Sequence, residues 1–339
     1  MRAGDFAGAW AIADRDLDAL TAGGSGKHEG PRHLQRIWRG EDLDDRIVLV
    51  RCYHGLGDTI QFARFLPALA RTAREVVVWC QPPLCRLIER IEGVSRVLPL
   101  HDGTPDIAFD VDIEIMELAH ALHADGDLVR MQAPYLLPAG CPAALPDHEG
   151  LAVGLVWRVG NWDKRREVPA ALVRSLLIPG VAAFSLQREV PPAEVADIGA
   201  LDLSTAEIDQ LVDTLRALDL IITVDTMVAH LAGALGCETW IMLHADCDWR
   251  WPAAGSATDW YPRARLFHQC KPNDWTAVVA EVRHALRQRV SEITMPEFRA
   301  TDPKPVLREL PGRAVASDGA SDSPAEILPG VSGRPSPSP

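Results

Sequence analysis

No stretch of about 18 consecutive apolar residues occurs in this chain, so no segment reads as a helix able to span a bilayer. Basic residues are in deficit: 34 Lys+Arg face 47 Asp+Glu, a formal charge of −13. That balance excludes the massed Lys and Arg of a nucleic-acid footprint, and an anionic ligand has to be held by local groups. Paired cysteines are missing as well. Cys52, Cys80, Cys85, Cys141, Cys237, Cys247 and Cys270 are odd in number, scattered and never C-x-x-C, which argues against a disulfide framework or a zinc site and for reduced thiols. There is no G-x-S-x-G elbow, H-E-x-x-H helix, Walker loop or G-x-G-x-x-G fingerprint. The opening MRAGDFAGAWAIADRDL places acids where a secretory signal needs a basic and then an apolar stretch, so a cytoplasmic protein is expected.

What is present is globular: 339 residues, 47% hydrophobic and 24% charged, a length suited to two domains that each bury a core. Residues 1–40 read as a helical appendage, with Phe6, Trp10, Ile12 and Leu17 apolar among acids before TAGGSGKHEGP breaks the pattern. Residues 41–148 alternate strand-like runs (IVLVRC, EVVVWC, RVLPL, FDVDIEI) with helical ones, DTIQFARFLPALARTA carrying a proline inside. PAGCPAALPDHEG then marks a linker, and the alternation restarts over 149–290 with LAVGLVW, VAAFSLQ, LDLIITVD and ETWIML as strands and NDWTAVVAEVRHALRQRV as the closing helix. Strands separated by helices imply parallel pairing, so two doubly wound α/β halves are expected. Residues 291–339 lose periodicity and fill with Pro, Ser and Gly, which predicts a disordered tail.

Three places carry candidate chemistry. In YHGLGDTIQFARF, Gly55 and Gly57 allow a tight turn after a strand and Asp58 opens the helix, either as a cap for its exposed amides or as an acid facing the crevice. His54, Gly55, Gly57, Thr59 and Gln61 surround it. In LDLIITVDTMVAHLAGALG, a strand ends at Asp225 and a helix begins after Thr226, so the amides of Thr226, Met227 and Val228 suit a phosphate. His230, one turn on, reads equally as a core histidine or a ligand contact. In VWRVGNWDKRREVP, Lys164, Arg165 and Arg166 lie at the carboxyl end of a strand, where open α/β sheets bind ligands, and Gln187 and Arg188 end a strand on the same edge. HADCDWRW has the spacing of no zinc or calcium loop and is assigned to structure, with Trp249 and Trp251 as packing residues.

Taken in order, GLGDTIQFARFLPALA, GLVW with its basic loop, FSLQ, VDTMVAHLAGALG and DWRW…WYP…RLF resemble glycosyltransferase family 9, the ADP-heptose:lipopolysaccharide heptosyltransferase group. The branch fused to tetratricopeptide repeats is the most similar, and GDFAGAWAIADRDL resembles the last repeat helix of that branch. The resemblance implies a GT-B architecture, two Rossmann-like domains across a cleft, with acceptor on the first and nucleotide-sugar on the second. It implies an inverting transfer of a sugar such as heptose from a nucleotide-diphosphate sugar to a glycan or lipid-linked acceptor, without a metal or other cofactor. Asp58 matches the family's general base, Arg166 its donor-phosphate contact, and Asp225, Thr226, Met227 and His230 its donor junction. The competing expectations are a catalytically silent scaffold that binds sugar-nucleotide, and a GT-B epimerase or dinucleotide enzyme, for which the usual nucleotide motifs are missing.

Overall fold

A computed structural model of the chain describes residues 4–22, 38, 40–131, 134–160 and 163–294. The tail expected beyond 291 lies outside them from residue 295 onward, as do Asn161 and Trp162 of the basic loop.

The appendage contains one helix, α1 (Phe6–Ala22). Phe6 and Trp10 pack onto the core, whereas Ile12, expected on the apolar face, is exposed. The first half follows as β1 (Ile47–Arg51), α2 (Leu56–Phe62), α3 (Leu66–Leu69), β2 (Glu75–Cys80), α4 (Cys85–Ile88), β3 (Arg96–Pro99), β4 (Val111–Glu114), α5 (Leu118–Ala121) and α6 (Gly126–Met131). The helix expected over DTIQFARFLPALARTA is divided. Pro67 has no N–H to give to Ala63, so a 3₁₀ turn over Ala63–Phe65 separates α2 from α3.

The second half runs β5 (Leu151–Val156), α7 (Ala170–Val173), β6 (Val181–Ser185), α8 (Pro192–Ile198), β7 (Leu201–Asp202), α9 (Ile208–Ala217), β8 (Leu220–Val224), α10 (Met227–Ala234), β9 (Thr239–Leu243), β10 (Ala264–His268) and α11 (Trp275–Thr294). Two of its edge strands, β7 and β10, carry no alternation strong enough to read from sequence; β7 is two residues long and exposed. Asp274 caps α11, its Oδ1 accepting from the Ala277 amide at 3.2 Å.

Every strand pair is parallel. The first sheet is ordered β3-β2-β1-β4 and the second β10-β9-β8-β5-β6-β7. Each chain of strands therefore runs outward from one strand, β1 or β5, and then returns to that strand's other side. The two reversals lie between β1 and β4 and between β5 and β8, and such reversal points open the crevices in which α/β sheets bind ligands. Register places Arg51 beside Glu114 at the first and Val156 beside Thr223 at the second.

The helices that leave these two points, α2 and α10, pack on each other at their first turns. A Cβ added to Gly57 would lie 2.9 Å from His230 Cδ2 and 3.3 Å from the Met227 Cα, so only glycine allows this approach. The carboxyl edges of the two sheets are thereby turned toward one another. One apolar core runs through the contact, joining Phe62 and Phe65 to Trp251, Trp260 and Tyr261.

Candidate functional site

On the first-sheet side, Gly55 is the N-cap of α2, and Asp58 Oδ2 accepts from the Gly55 amide at 3.0 Å. The capping reading of Asp58 is thus realised, but it occupies only one oxygen. The other forms an ion pair with Arg250, and the same guanidinium donates to Gln61 Oε1 at 3.1 Å and to Asp248 Oδ1 at 2.9 Å. Arg250 belongs to the HADCDWRW segment, which the sequence assigned to structure alone. That assignment holds for Trp251, which is fully buried, and is corrected for two neighbours. Arg250 holds the candidate base, and Trp249 is 37% exposed and lines, with Phe6, Arg250 and Trp260, a cavity of about 190 Å³.

The other residues expected on the acceptor side divide. His54 and Gly55 are exposed, Gly57 is closed against α10, and Thr59 and Gln61 are fully buried. Thr59 Oγ1 donates to Gln81 Oε1 at 3.0 Å, and Gln81 Nε2 donates to the His54 carbonyl at 2.6 Å, so Thr59 braces the turn from behind. A residue that sequence reasoning missed stands at the same reversal point: Glu114, whose carboxyl lies 3.8 Å from His54 Nε2. Its signal was present only as the last acid of FDVDIEI, a segment read as a strand and not as a site.

Burial pushes the Glu114 carboxyl up to about 8, with Arg51 opposing only part of the rise. Between its usual 4.5 and that value the folded chain binds more protons than the unfolded chain, so stability is greatest below the window and is lost as pH rises through it. Glu114→Gln is expected to flatten the fall in melting temperature from pH 5 to pH 8. An unchanged slope in the variant would assign the effect elsewhere.

On the second-sheet side, Asp225 ends β8 and Thr226 is the N-cap of α10. The Thr226 hydroxyl lies 3.2 Å from Thr223 Oγ1 and makes no side-chain bond to the helix, so the amides at the start of α10 have no side-chain cap from Thr226. Arg166 Nη1 reaches both the Asp225 carbonyl and its Oδ2 at 3.3 Å. Burial alone would raise the Asp225 carboxyl, but His230 and then Arg166 outweigh it and hold it at about 2. His230 is itself enclosed: Nδ1 is 2.9 Å from the Tyr261 hydroxyl, and its ring stacks on Trp251 at 5.6 Å. The core-histidine reading therefore describes its surroundings, with Asp225 Oδ1 3.6 Å from Nε2.

The basic run is neutralised within the chain. Lys164 pairs with Glu167 at 2.8 Å, Arg165 with Asp163 at 2.9 Å and Asp246 at 3.2 Å, and Arg166 with Asp225. Of the three cations, Arg166 alone reaches the Thr226 junction. Gln187 is not brought to it as a free amide: its Oε1 accepts from the Trp157 and Arg158 amides at 3.0 and 2.8 Å and so shapes the loop after β5. Arg188 is exposed, 3.6 Å from Glu189. The arrangement offers a carboxylate on one side of a seam and, on the other, a helix N-terminus with an arginine beside it, a combination that suits an anionic leaving group.

No protein-family model matches the chain. It is similar to Protein FlbA of Caulobacter vibrioides, 24% identical over 290 residues, covering 74% of this chain and 48% of FlbA. The chain thus spans about half the length of that curated relative. Among solved structures it is similar to a glycosyl transferase family 9 protein from Veillonella parvula, with TM-score 0.51 and 12% identity over 75% of this chain and 99% of that one. It is similar as well to the dodecameric iron-containing heptosyltransferase TibC of enterotoxigenic E. coli, solved with ADP-D-beta-D-heptose, with TM-score 0.51 and 13% identity over 74% of this chain and 78% of that one. At these identities the likeness establishes the fold, the GT-B arrangement of the family 9 glycosyltransferases.

Proposed function

We propose that the chain is an inverting glycosyltransferase of the family 9 type, moving a sugar from a nucleotide-diphosphate donor to a glycan or lipid-linked acceptor in the cytoplasm. The observation that carries this reading is the seam itself. Gly57, one residue before Asp58, lies against Met227 and His230, so the carboxylate and the start of α10 are brought to one place from opposite halves. The acceptor oxygen attacks the anomeric carbon as its proton passes to Asp58, and the bond to the diphosphate oxygen breaks with its electron pair leaving on the phosphate. The first amides of α10 and Arg166 receive that charge.

A second reading is favoured by a specific feature: in this structure Asp58 is engaged by Arg250 and Arg166 by Asp225. A protein that had lost transfer and kept donor binding would tolerate both pairs. A thermal-shift screen against ADP-, GDP- and UDP-sugars, with Arg166→Ala and Thr226→Ala alongside, tests the donor side that both readings share. A ligand at about 100 times its dissociation constant stabilises by about 2.7 kcal/mol, which is easily measured. One nucleotide class is expected to shift the wild type and neither variant; no shift with any of them would remove both readings.

A further inference from the structure

We propose that Asp14, His120 and His123 form a binding site for one divalent transition-metal ion of the borderline class represented by Zn²⁺ and Co²⁺, joining α1 to the turn that ends α5. His120 Nε2 lies 2.7 Å from Asp14 Oδ1, and His123 Nε2 lies 3.3 and 3.2 Å from Oδ1 and Oδ2. All three ligand atoms fall within 4.8 Å of one another. Donors that share an ion at about 2.0 to 2.2 Å stand about 3 to 3.5 Å apart, so the cluster has nearly the spacing that coordination demands.

The donor set decides the ion. Two neutral imidazoles and one carboxylate suit Zn²⁺, Co²⁺, Ni²⁺ or Fe²⁺, whereas Ca²⁺ and Mg²⁺ ask for an all-oxygen shell. Three protein ligands leave coordination positions open, and the 61% exposure of His123 gives ion and water a route to them.

A pair of hydrogen bonds that merely docks α1 is the plainer account, and three features weigh against it. The docking is already provided by Trp10, whose Nε1 donates to the Ala124 carbonyl at 2.7 Å. Both imidazoles turn the same atom, Nε2, toward one carboxylate, although a single one would satisfy a contact. The rings are also packed together: His120 stacks on Trp10 at 5.5 Å, and the His123 ring meets His120 edge-on at 5.9 Å. α1 reaches the cavity beside Arg250 only through Phe6, and Asp14, His120 and His123 belong to neither reversal point. The sequence expectation of no metal rested on the scattered cysteines, the spacing of HADCDWRW and the family resemblance; Asp14 and His120, 106 residues apart, form no motif that a sequence spacing would join.

The test uses the full chain stripped with chelator and titrated calorimetrically with Zn²⁺, and with Co²⁺ followed by visible absorbance. One equivalent is expected to bind, with d–d bands and no thiolate charge-transfer band. Asp14→Asn, His120→Ala and His123→Gln should each weaken it at least about tenfold, the scale on which even outer-shell changes act. Zn²⁺ should also raise the melting temperature of the wild type and leave that of the variants unmoved. His123→Gln, at the most exposed ligand, decides the matter if either other variant fails to fold. The proposal is overturned by absence of stoichiometric binding, by equal binding in wild type and His123→Gln, or by a thiolate band that moves the ion to exposed Cys141 or Cys270.

Discussion

Replacing Arg64 with alanine is expected to lower the free energy of unfolding by about 3 to 5 kcal/mol. Arg64 is fully buried, and among the described residues no carboxylate pairs with it. Its charge is dispersed over neutral oxygens instead: Nε donates to the Gln61 carbonyl at 2.9 Å, Nη1 to the Val129 and Trp260 carbonyls at 3.1 and 2.8 Å, and Nη2 to the Tyr135 hydroxyl at 3.3 Å. The rings of Tyr135, Trp260 and Tyr261 lie 4.7 to 5.0 Å from the guanidinium carbon and add cation–π attraction. Truncation relieves the cost of burying a cation, but it leaves several acceptors without donors, each worth about 1 to 3 kcal/mol, and a cavity besides. The second loss is the larger. Urea unfolding of Arg64→Ala, Arg64→Met and Arg64→Lys separates the contributions: methionine restores volume alone, lysine restores charge without the planar fork, and neither should recover most of the loss. A loss below about 1 kcal/mol for alanine would show that water replaces the guanidinium at those carbonyls.

The second large effect concerns transfer, and it rests on the proposed function. With a productive donor and acceptor, Asp58→Asn is expected to reduce kcat by about 10² to 10⁴ while leaving donor binding intact, because the amide keeps the shape and loses the proton acceptor. Arg250→Ala should cost less, since it releases Asp58 while leaving Asp248 without its main partner, and the double variant should be no slower than Asp58→Asn. If Asp58→Asn transfers at the wild-type rate, Asp58 is only a helix cap. If it weakens donor binding as much as transfer, the residue acts through the seam rather than on the acceptor hydroxyl. Arg250 is tied back to Arg64 through Trp260, whose Nε1 donates to the Arg250 carbonyl at 2.8 Å while its own carbonyl accepts from Arg64. The residue that holds the candidate base is thus anchored on the buried strut that supports the interior.

The eight strands anticipated from apolar runs all formed: six are largely buried parallel strands that write their signal in five or six consecutive residues, while β3 and β4 are four residues long and β3 is exposed at both ends. The turn at Gly55–Gly57 and the helix start at Asp225–Thr226 were legible because tight turns and helix starts are local. Arg64 was not. In FARFLP it looks like any helical arginine with a solvated head, and its partners Val129 and Trp260 lie 65 and 196 residues away. Arg250 was missed likewise, being 192 residues from Asp58 and set between tryptophans that read as packing. The helix expected over DTIQFARFLPALARTA was too long because a 3₁₀ turn intervenes at Ala63–Phe65, and the apolar spacing of a tight turn differs little from that of the helix it interrupts. Gln187 was placed correctly at its strand end, but its side chain serves the backbone of the neighbouring loop.

Gly57 against His230 carries a further consequence. The sequence has an evident joint at residues 138–150, and cutting there would separate two sheets, each complete in its strands. The interior does not divide at that place. Either fragment would expose the missing face of the α2–α10 contact, and the first would also hold Arg64 without the Trp260 carbonyl. The point where the chain is easiest to cut and the point where the molecule is easiest to part are therefore different, and an evolutionary exchange of one half would have to bring its own seam with it.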